Sequence, residues 1–151
     1  MTVSFPKTLY IVVPCYNEEL VLPETANRLM SKIHTLLEEK KVAESSRIVF
    51  VDDGSKDKTW EVISDLHLAN HYFSGIKLSR NRGHQNALLA GLMTAKDQAD
   101  LVVSMDADLQ DDIDAVDEMI DKFYQGFDIV YGVRSNRQKD TFFKKWSAQT
   151  Y

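Results

Sequence analysis

The feature that most constrains the fold is an alternation. Short apolar runs rich in β-branched residues take turns with longer stretches of helical period, the pattern left by βαβ units around a mostly parallel sheet. The runs are Leu9–Val13, Arg47–Val51, Gly75–Leu78, Leu101–Met105 and Phe127–Tyr131. Each is mostly apolar, as a strand buried on both faces should be. Between the first two, Leu22, Ala26, Leu29, Ile33 and Leu36 recur at spacings of four and three, which lines one face of a helix that Pro23 suits at its first turn. Trp60, Ile63 and Leu66 mark a second helix, Gly83 to Lys96 a third, and Ile113, Val116, Met119, Ile120 and Phe123 a fourth. These stripes read as core. The expected fold class is therefore α/β.

A chain of 151 residues with 44% apolar and 27% charged residues has the length to bury roughly 68–70% of the surface it exposes when unfolded. One compact domain over residues 1–151 is expected, and any metal would serve function rather than hold the fold together. The net charge of -5 offers no broad cationic surface, so no nucleic-acid partner is expected. Cys15 is the single cysteine and forms no internal disulfide; with no signal peptide in the sequence, a cytoplasmic setting is expected. No apolar run approaches the roughly 20 residues that span a bilayer. The segment Phe142–Tyr151 reads as the opening of an amphipathic element without a cap, and the chain is expected to be the N-terminal part of a longer protein.

In an open parallel sheet, ligands bind in the crevice at the carboxyl ends of the strands, so the residues that follow each run carry the functional argument. After the first come Pro14-Cys15-Tyr16-Asn17-Glu18-Glu19, a turn with an aromatic ring able to stack on a base or sugar. Pro14 and Asn17 also suit a plain turn, and the glutamates the start of a helix. After the second come Asp52-Asp53-Gly54-Ser55-Lys56-Asp57. Asp57 or Ser55 explains itself as a helix cap, and Gly54 as a residue needing an unusual backbone angle. Adjacent Asp52 and Asp53 repel one another unless a cation or hydrogen-bond donor is near. After the third, Ser79-Arg80-Asn81-Arg82-Gly83-His84 precedes a helix N-terminus, which suits an anion as well as a solvated loop capped by Asn81. His84 has no cysteine or second histidine at zinc-ligand spacing.

The fourth run delivers Asp106-Ala107-Asp108-Leu109-Gln110-Asp111-Asp112, four carboxylates in seven residues. Asp106 and Asp108 share a side if the strand persists, and Gln110 adds a neutral oxygen two residues on. Such all-oxygen ligation suits Mg²⁺ or Mn²⁺, whereas the calcium-loop glycine and glutamate are missing. Asp111 and Asp112 read as caps of the fourth helix. After the fifth run, Gly132-Val133-Arg134 returns a cation to the same edge.

Together, Pro14-Cys15-Tyr16-Asn17-Glu18, Val51-Asp52-Asp53-Gly54-Ser55 and Met105-Asp106-Ala107-Asp108-Leu109-Gln110 resemble the nucleotide-sugar-binding half of a family 2, GT-A type glycosyltransferase. Leu78-Ser79-Arg80-Asn81-Arg82-Gly83-His84-Gln85, Gly132-Val133-Arg134 and Asp140-Thr141-Phe142-Phe143-Lys144 are similar to the branch that uses a dolichyl or undecaprenyl phosphate acceptor. The resemblance implies a Rossmann-like, mostly parallel sheet flanked by helices and inverting, metal-dependent transfer from a nucleotide sugar, UDP-sugar before GDP-sugar, to a polyprenyl phosphate. It implies that Pro14, Tyr16, Glu18 and Asp53 line the nucleoside pocket and that Arg80 contacts base or phosphate. Asp106 would contact ribose or the metal-bound diphosphate, and Asp108 and Gln110, with Asp106, would hold Mg²⁺ or Mn²⁺. Asp108 and Arg134 would carry catalysis, Arg134 approaching the acceptor phosphate. Membrane association at the cytoplasmic face would come through residues beyond this chain. A transferase acting on a polysaccharide or protein, a donor-binding module inactive alone, and a receiver-like phosphoacceptor domain are the alternatives.

Overall fold

The computed structural model describes residues 5–108 and 110–133. Eight elements alternate along the chain: β1 (Leu9–Cys15), α1 (Leu22–Glu38), β2 (Arg47–Asp52), α2 (Thr59–Ala69), β3 (Phe73–Lys77), α3 (His84–Ala95), β4 (Leu101–Ser104) and α4 (Ala115–Tyr124). The strands form a parallel sheet in the order β3-β2-β1-β4. The chain thus works outward from β1 to β3 and then crosses back to place β4 on the other side of β1. That reversal opens a crevice beyond the carboxyl ends of β1 and β4.

One sheet face packs its larger core against α1, α2 and α4. The α1 stripe Leu22, Ala26, Leu29, Ile33 and Leu36 is at most 1% exposed and meets Leu9, Ile11, Val13, Ile48 and Phe50. Each large side chain buried this way contributes about 1.5–3 kcal/mol. The other face carries α3, whose small residues Ala87, Gly91 and Ala95 lie against Val12, Val49 and Val51. A methyl group at Gly91 would collide with the Val12 side chain and stand 3.0 Å from Val51 Cγ2, so the missing side chain sets how closely α3 approaches the sheet.

All five strand expectations change, the first two only by running on to Cys15 and Asp52 instead of ending at Val13 and Val51. The third strand starts at Phe73 rather than Gly75, because buried Phe73 pairs with Ile48. The fourth ends at Ser104, although the Met105 amide still donates to Val12 O at 3.0 Å. Phe127–Tyr131 forms no strand. Gly126, at φ 95°, turns the chain at the end of α4, and the Phe127 amide donates back to Lys122 O at 3.2 Å, a helix-terminating turn. Alternating apolar residues supply a side-chain preference, but a strand also needs a neighbour's N–H and C=O groups, and among the described residues no strand pairs with this run. Ile129 and Tyr131 are accordingly exposed.

Candidate functional site

The loops after β1 and β2 are laced together across roughly forty residues of sequence. Asn17, in the left-handed region at φ 54°, accepts the Lys56 amide on Oδ1 at 2.8 Å, while its own amide donates to Ser55 Oγ at 2.9 Å. The Glu18 amide donates to Thr59 Oγ1 at 2.8 Å, the Glu19 amide to Asp57 Oδ2 at 3.2 Å, and the Lys58 amide to Glu19 Oε2 at 3.0 Å. Asp57 also caps the start of α2 by accepting the Thr59 amide at 2.9 Å. Burial works to raise the Asp57 carboxyl, but the hydroxyl and amide of Thr59 and the amide of Glu19 outweigh it and hold the group below the usual carboxylate range. Ser55 makes a loop contact instead of a cap.

The paired aspartates have their donors, and these are backbone amides rather than a cation. Asp52 is fully buried and accepts the Ser55 amide on Oδ1 at 3.1 Å; its Oδ2 has no hydrogen-bond partner among the described residues. Asp53, 3% exposed, accepts the amides of Arg82 at 2.6 Å and Gly83 at 3.0 Å. It therefore fixes the loop after β3 as well as facing the crevice. Gly54, at φ 67°, lets that loop close in, since a methyl group there would meet the Arg80 backbone and the Asn81 nitrogen at 2.5 Å. Asn81 accepts the Gly83 amide at 3.0 Å, and Gly83, at φ 89°, leads directly into α3.

Beyond β4 the chain turns at once, so Asp106 and Asp108 are presented by a turn and not by a continued strand. Ala107 between them is 4% exposed and anchors the turn in the core. Its carbonyl accepts the hydroxyl of buried Thr25, on α1, at 2.7 Å. The Asp106 amide donates to Asp111 Oδ2 at 2.9 Å and the Gln110 amide to Asp108 Oδ1 at 3.1 Å. Asp111 thus closes the turn rather than capping α4, while Asp112 Oδ1 accepts the Asp114 amide at 2.9 Å just ahead of that helix.

These loops border an open cleft of about 490 Å³ at the β1/β4 reversal, within the roughly 300–1,000 Å³ usual for small-ligand sites. Pro14, Tyr16, Glu18, Asp53, Asp106 and Asp108 line it, together with Cys15, Asn81, Gly83, His84, Ala87 and Ala107. Arg80 is exposed and, like Gln110, is not on this wall. Arg134 lies outside the described residues. His84 adds what its position in the sequence did not: it begins α3, and its Nε2 lies 3.7 Å from Asp106 Oδ1. A second cavity of about 180 Å³ shares Pro14, His84 and Asp106 with the first and continues to Leu88, Ser104, Met105 and Asp111.

The electrostatics favour a cation. Glu18 has its carboxyl raised above the usual range, by burial first and then by the charges of Asp108 and Asp57. Among the described residues no three acidic, histidine or cysteine side chains already form a closed metal cage. An open pair of carboxylates fits Mg²⁺ or Mn²⁺, which keep waters and take remaining ligands from phosphates. Cys15 is buried, its thiol pushed far up by burial and then by the charges of Glu18 and Asp52, which leaves it inert as a nucleophile. No helix among the described residues is long and apolar enough to cross a membrane.

Residues 10–150 match the family model described as Glycosyl transferase family 2. The uncharacterized glycosyltransferase YkoT of Bacillus subtilis (strain 168) is 53% identical over 93% of this chain and 42% of its own length. An undecaprenyl-phosphate 4-deoxy-4-formamido-L-arabinose transferase of Aeromonas hydrophila is 34% identical over 95% of this chain and 41% of its own. The chain therefore spans about two fifths of the length of these curated relatives. Among solved structures, a mannosyltransferase from Pyrobaculum calidifontis in complex with GDP-Man and Mn²⁺ superimposes with a TM-score of 0.54 at 23% identity, over 70% of this chain and 28% of that one. The shared fold is of GT-A type.

Proposed function

The chain belongs to glycosyl transferase family 2, and we propose that it binds a nucleoside diphosphate sugar, a UDP-sugar, with Mg²⁺ or Mn²⁺, and serves inverting transfer of the sugar to a polyprenyl phosphate. The observation that carries this reading is convergence: Pro14 at the end of β1 and five residues of the loops after β1, β2 and β4 line one cavity at the sheet's reversal point. The named activity of the Aeromonas relative supports the acceptor class, and the GDP-Man and Mn²⁺ of the Pyrobaculum structure are in line with a nucleoside diphosphate sugar and a divalent ion as classes, without favouring uridine over guanosine.

In this reading Tyr16, at the rim and 39% exposed, stacks on the nucleoside, while Pro14 shapes the wall. Glu18 and Asp53 accept hydrogen bonds from ribose hydroxyls or the base. The start of α3 presents its partial positive charge to the diphosphate. Asp106 and Asp108, with Gln110 of the same turn, would hold the ion, which would supply positive charge that stabilises the departing diphosphate more than the ground state. Transfer breaks the bond between the anomeric carbon and the diphosphate oxygen and forms one to the acceptor phosphate oxygen on the opposite face. A phosphate acceptor is already ionised at neutral pH, so it calls for positioning, by Arg134, rather than a strong general base, while Arg80 contacts the donor's base or phosphate.

The whole protein works at the cytoplasmic face of the membrane that holds such lipids, reached through segments beyond this chain. Incubation of that protein with a labelled UDP-sugar, Mn²⁺ and undecaprenyl phosphate tests the reading. The expected product is an organic-extractable sugar phosphate. Label passing only to polysaccharide or protein would replace the lipid acceptor, and label passing to nothing while the donor binds would reduce the chain to a donor-binding module.

A further inference from the structure

Glu18 lines the cleft, and its backbone is held on both sides. Its carbonyl accepts the amides of Val21 at 3.1 Å and Leu22 at 2.9 Å as α1 begins, and its amide donates to Thr59 Oγ1 at 2.8 Å across 41 residues of sequence. Thr59 is fully buried at the start of α2, and its hydroxyl donates in turn to Asp57 Oδ1 at 2.6 Å. The other Asp57 oxygen accepts the Glu19 amide at 3.2 Å. Neither Asp57 nor Thr59 lines the cleft itself. We propose that Asp57 and Thr59 are positioning residues for donor binding, Thr59 setting Glu18 on the cleft wall and Asp57 orienting the Thr59 hydroxyl. This rests on the nucleotide-sugar reading of the cleft and gives the pair a role beyond starting α2.

Three observations support it. A hydroxyl has one proton to give and two lone pairs to accept with. Although burial works to raise the Asp57 carboxyl, its bonds from Thr59 and Glu19 hold it below the usual range, so at neutral pH it only accepts. The Thr59 proton therefore goes to Asp57, and a lone pair is left for the Glu18 amide. Next, capping α2 needs only the bond from the Thr59 amide to Asp57. The Thr59 bond to Glu18 and the Asp57 bond to Glu19 do nothing for that helix; they hold two consecutive residues of the loop after β1. Finally, with amide and carbonyl both engaged, Glu18 keeps freedom only in its side chain. The ordering entropy of its backbone is lost in folding and not again on binding, which favours affinity.

The test is a double-substitution cycle read by calorimetry of UDP and GDP in Mn²⁺. Thr59→Val keeps the shape and removes the hydroxyl, and Glu18→Ala removes the side chain that the hydroxyl positions. The expected result is about a fivefold or greater loss of nucleotide affinity for Thr59→Val alone, and less than about a twofold further loss when it is added to Glu18→Ala. Thr59→Ser, which restores the hydroxyl, returns the affinity to within about twofold of the parent. Asp57→Asn keeps an oxygen for Thr59 but turns an amide nitrogen toward the Glu19 N–H. It gives a smaller loss, again absent beside Glu18→Ala, and keeps the test available should the valine variant not fold. A merely structural role predicts the same fold loss in both backgrounds. That result, or no loss from Thr59→Val, would overturn the positioning role while leaving the donor reading standing. Failure of the unsubstituted chain to bind either nucleotide would overturn both.

Discussion

The hydroxyl of Thr25 donates to the carbonyl of Ala107 at 2.7 Å, with both residues buried. The helix after the first strand therefore holds the turn that presents Asp106 and Asp108, 82 residues away in sequence. Thr25→Val keeps the shape and removes the donor, leaving a buried carbonyl unpaired at a cost of about 1–3 kcal/mol. The expected outcome is that loss in urea unfolding together with weaker Mn²⁺-dependent donor binding, and Thr25→Ser restores both.

Gly54→Ala adds a methyl group where the Arg80 and Asn81 backbone sits, at a backbone φ of 67°. Neither neighbour is a side chain that can swing aside. Strain at such a position costs about 1–3 kcal/mol, and the loop gripped by Asp53 must shift. A lower denaturation midpoint and a loss of nucleotide affinity are expected together.

At Gly91 two effects oppose one another. Alanine is better than glycine inside a helix by about 1 kcal/mol, but here its methyl group overlaps Val12 and crowds Val51. Overpacking a core costs about 1–3 kcal/mol, so Gly91→Ala is expected to destabilise, against the helix-propensity rule. Thermal unfolding reads the sign directly.

Glu18 makes the pH dependence of stability informative. Burial, then the charges of Asp108 and Asp57, raise its folded-state carboxyl above the ordinary value. The folded chain thus binds this proton more tightly than the unfolded chain does, and ionisation works against folding. The penalty is absent below the unfolded value of about 4.3, grows as pH rises through the raised value, and is complete above it. Glu18→Gln is therefore expected to raise the urea midpoint at pH 7, to lose that advantage near pH 4, and to bind donor less well.

Much of the site was legible because strand ends in a parallel sheet share one edge. Residues following separate apolar runs could be placed together before any contact was known, and six of those singled out do line one cavity. The contacts that hold them there were not legible. Thr25 sits in the α1 stripe with no local sign of its bond to Ala107, and nothing near Asp53 in the sequence signals that its carboxylate also accepts two backbone amides of the loop after β3. His84 gave no signal because its partner, Asp106, is brought near only by the packing of α3 beside β4. Phe127–Tyr131 misled because alternation records side chains and is silent about a ladder partner.

The central claim is that the turn after β4 holds a divalent ion against a donor's diphosphate. Calorimetric titration of UDP and GDP, with and without Mn²⁺, on the parent chain and on Asp108→Ala tests it most directly. The account predicts UDP binding that requires Mn²⁺ and is lost in the variant, with turnover of the whole protein falling about 10²–10³-fold, the usual effect of removing one such electrostatic group. Equal affinity in parent and variant, or binding indifferent to Mn²⁺, would contradict it.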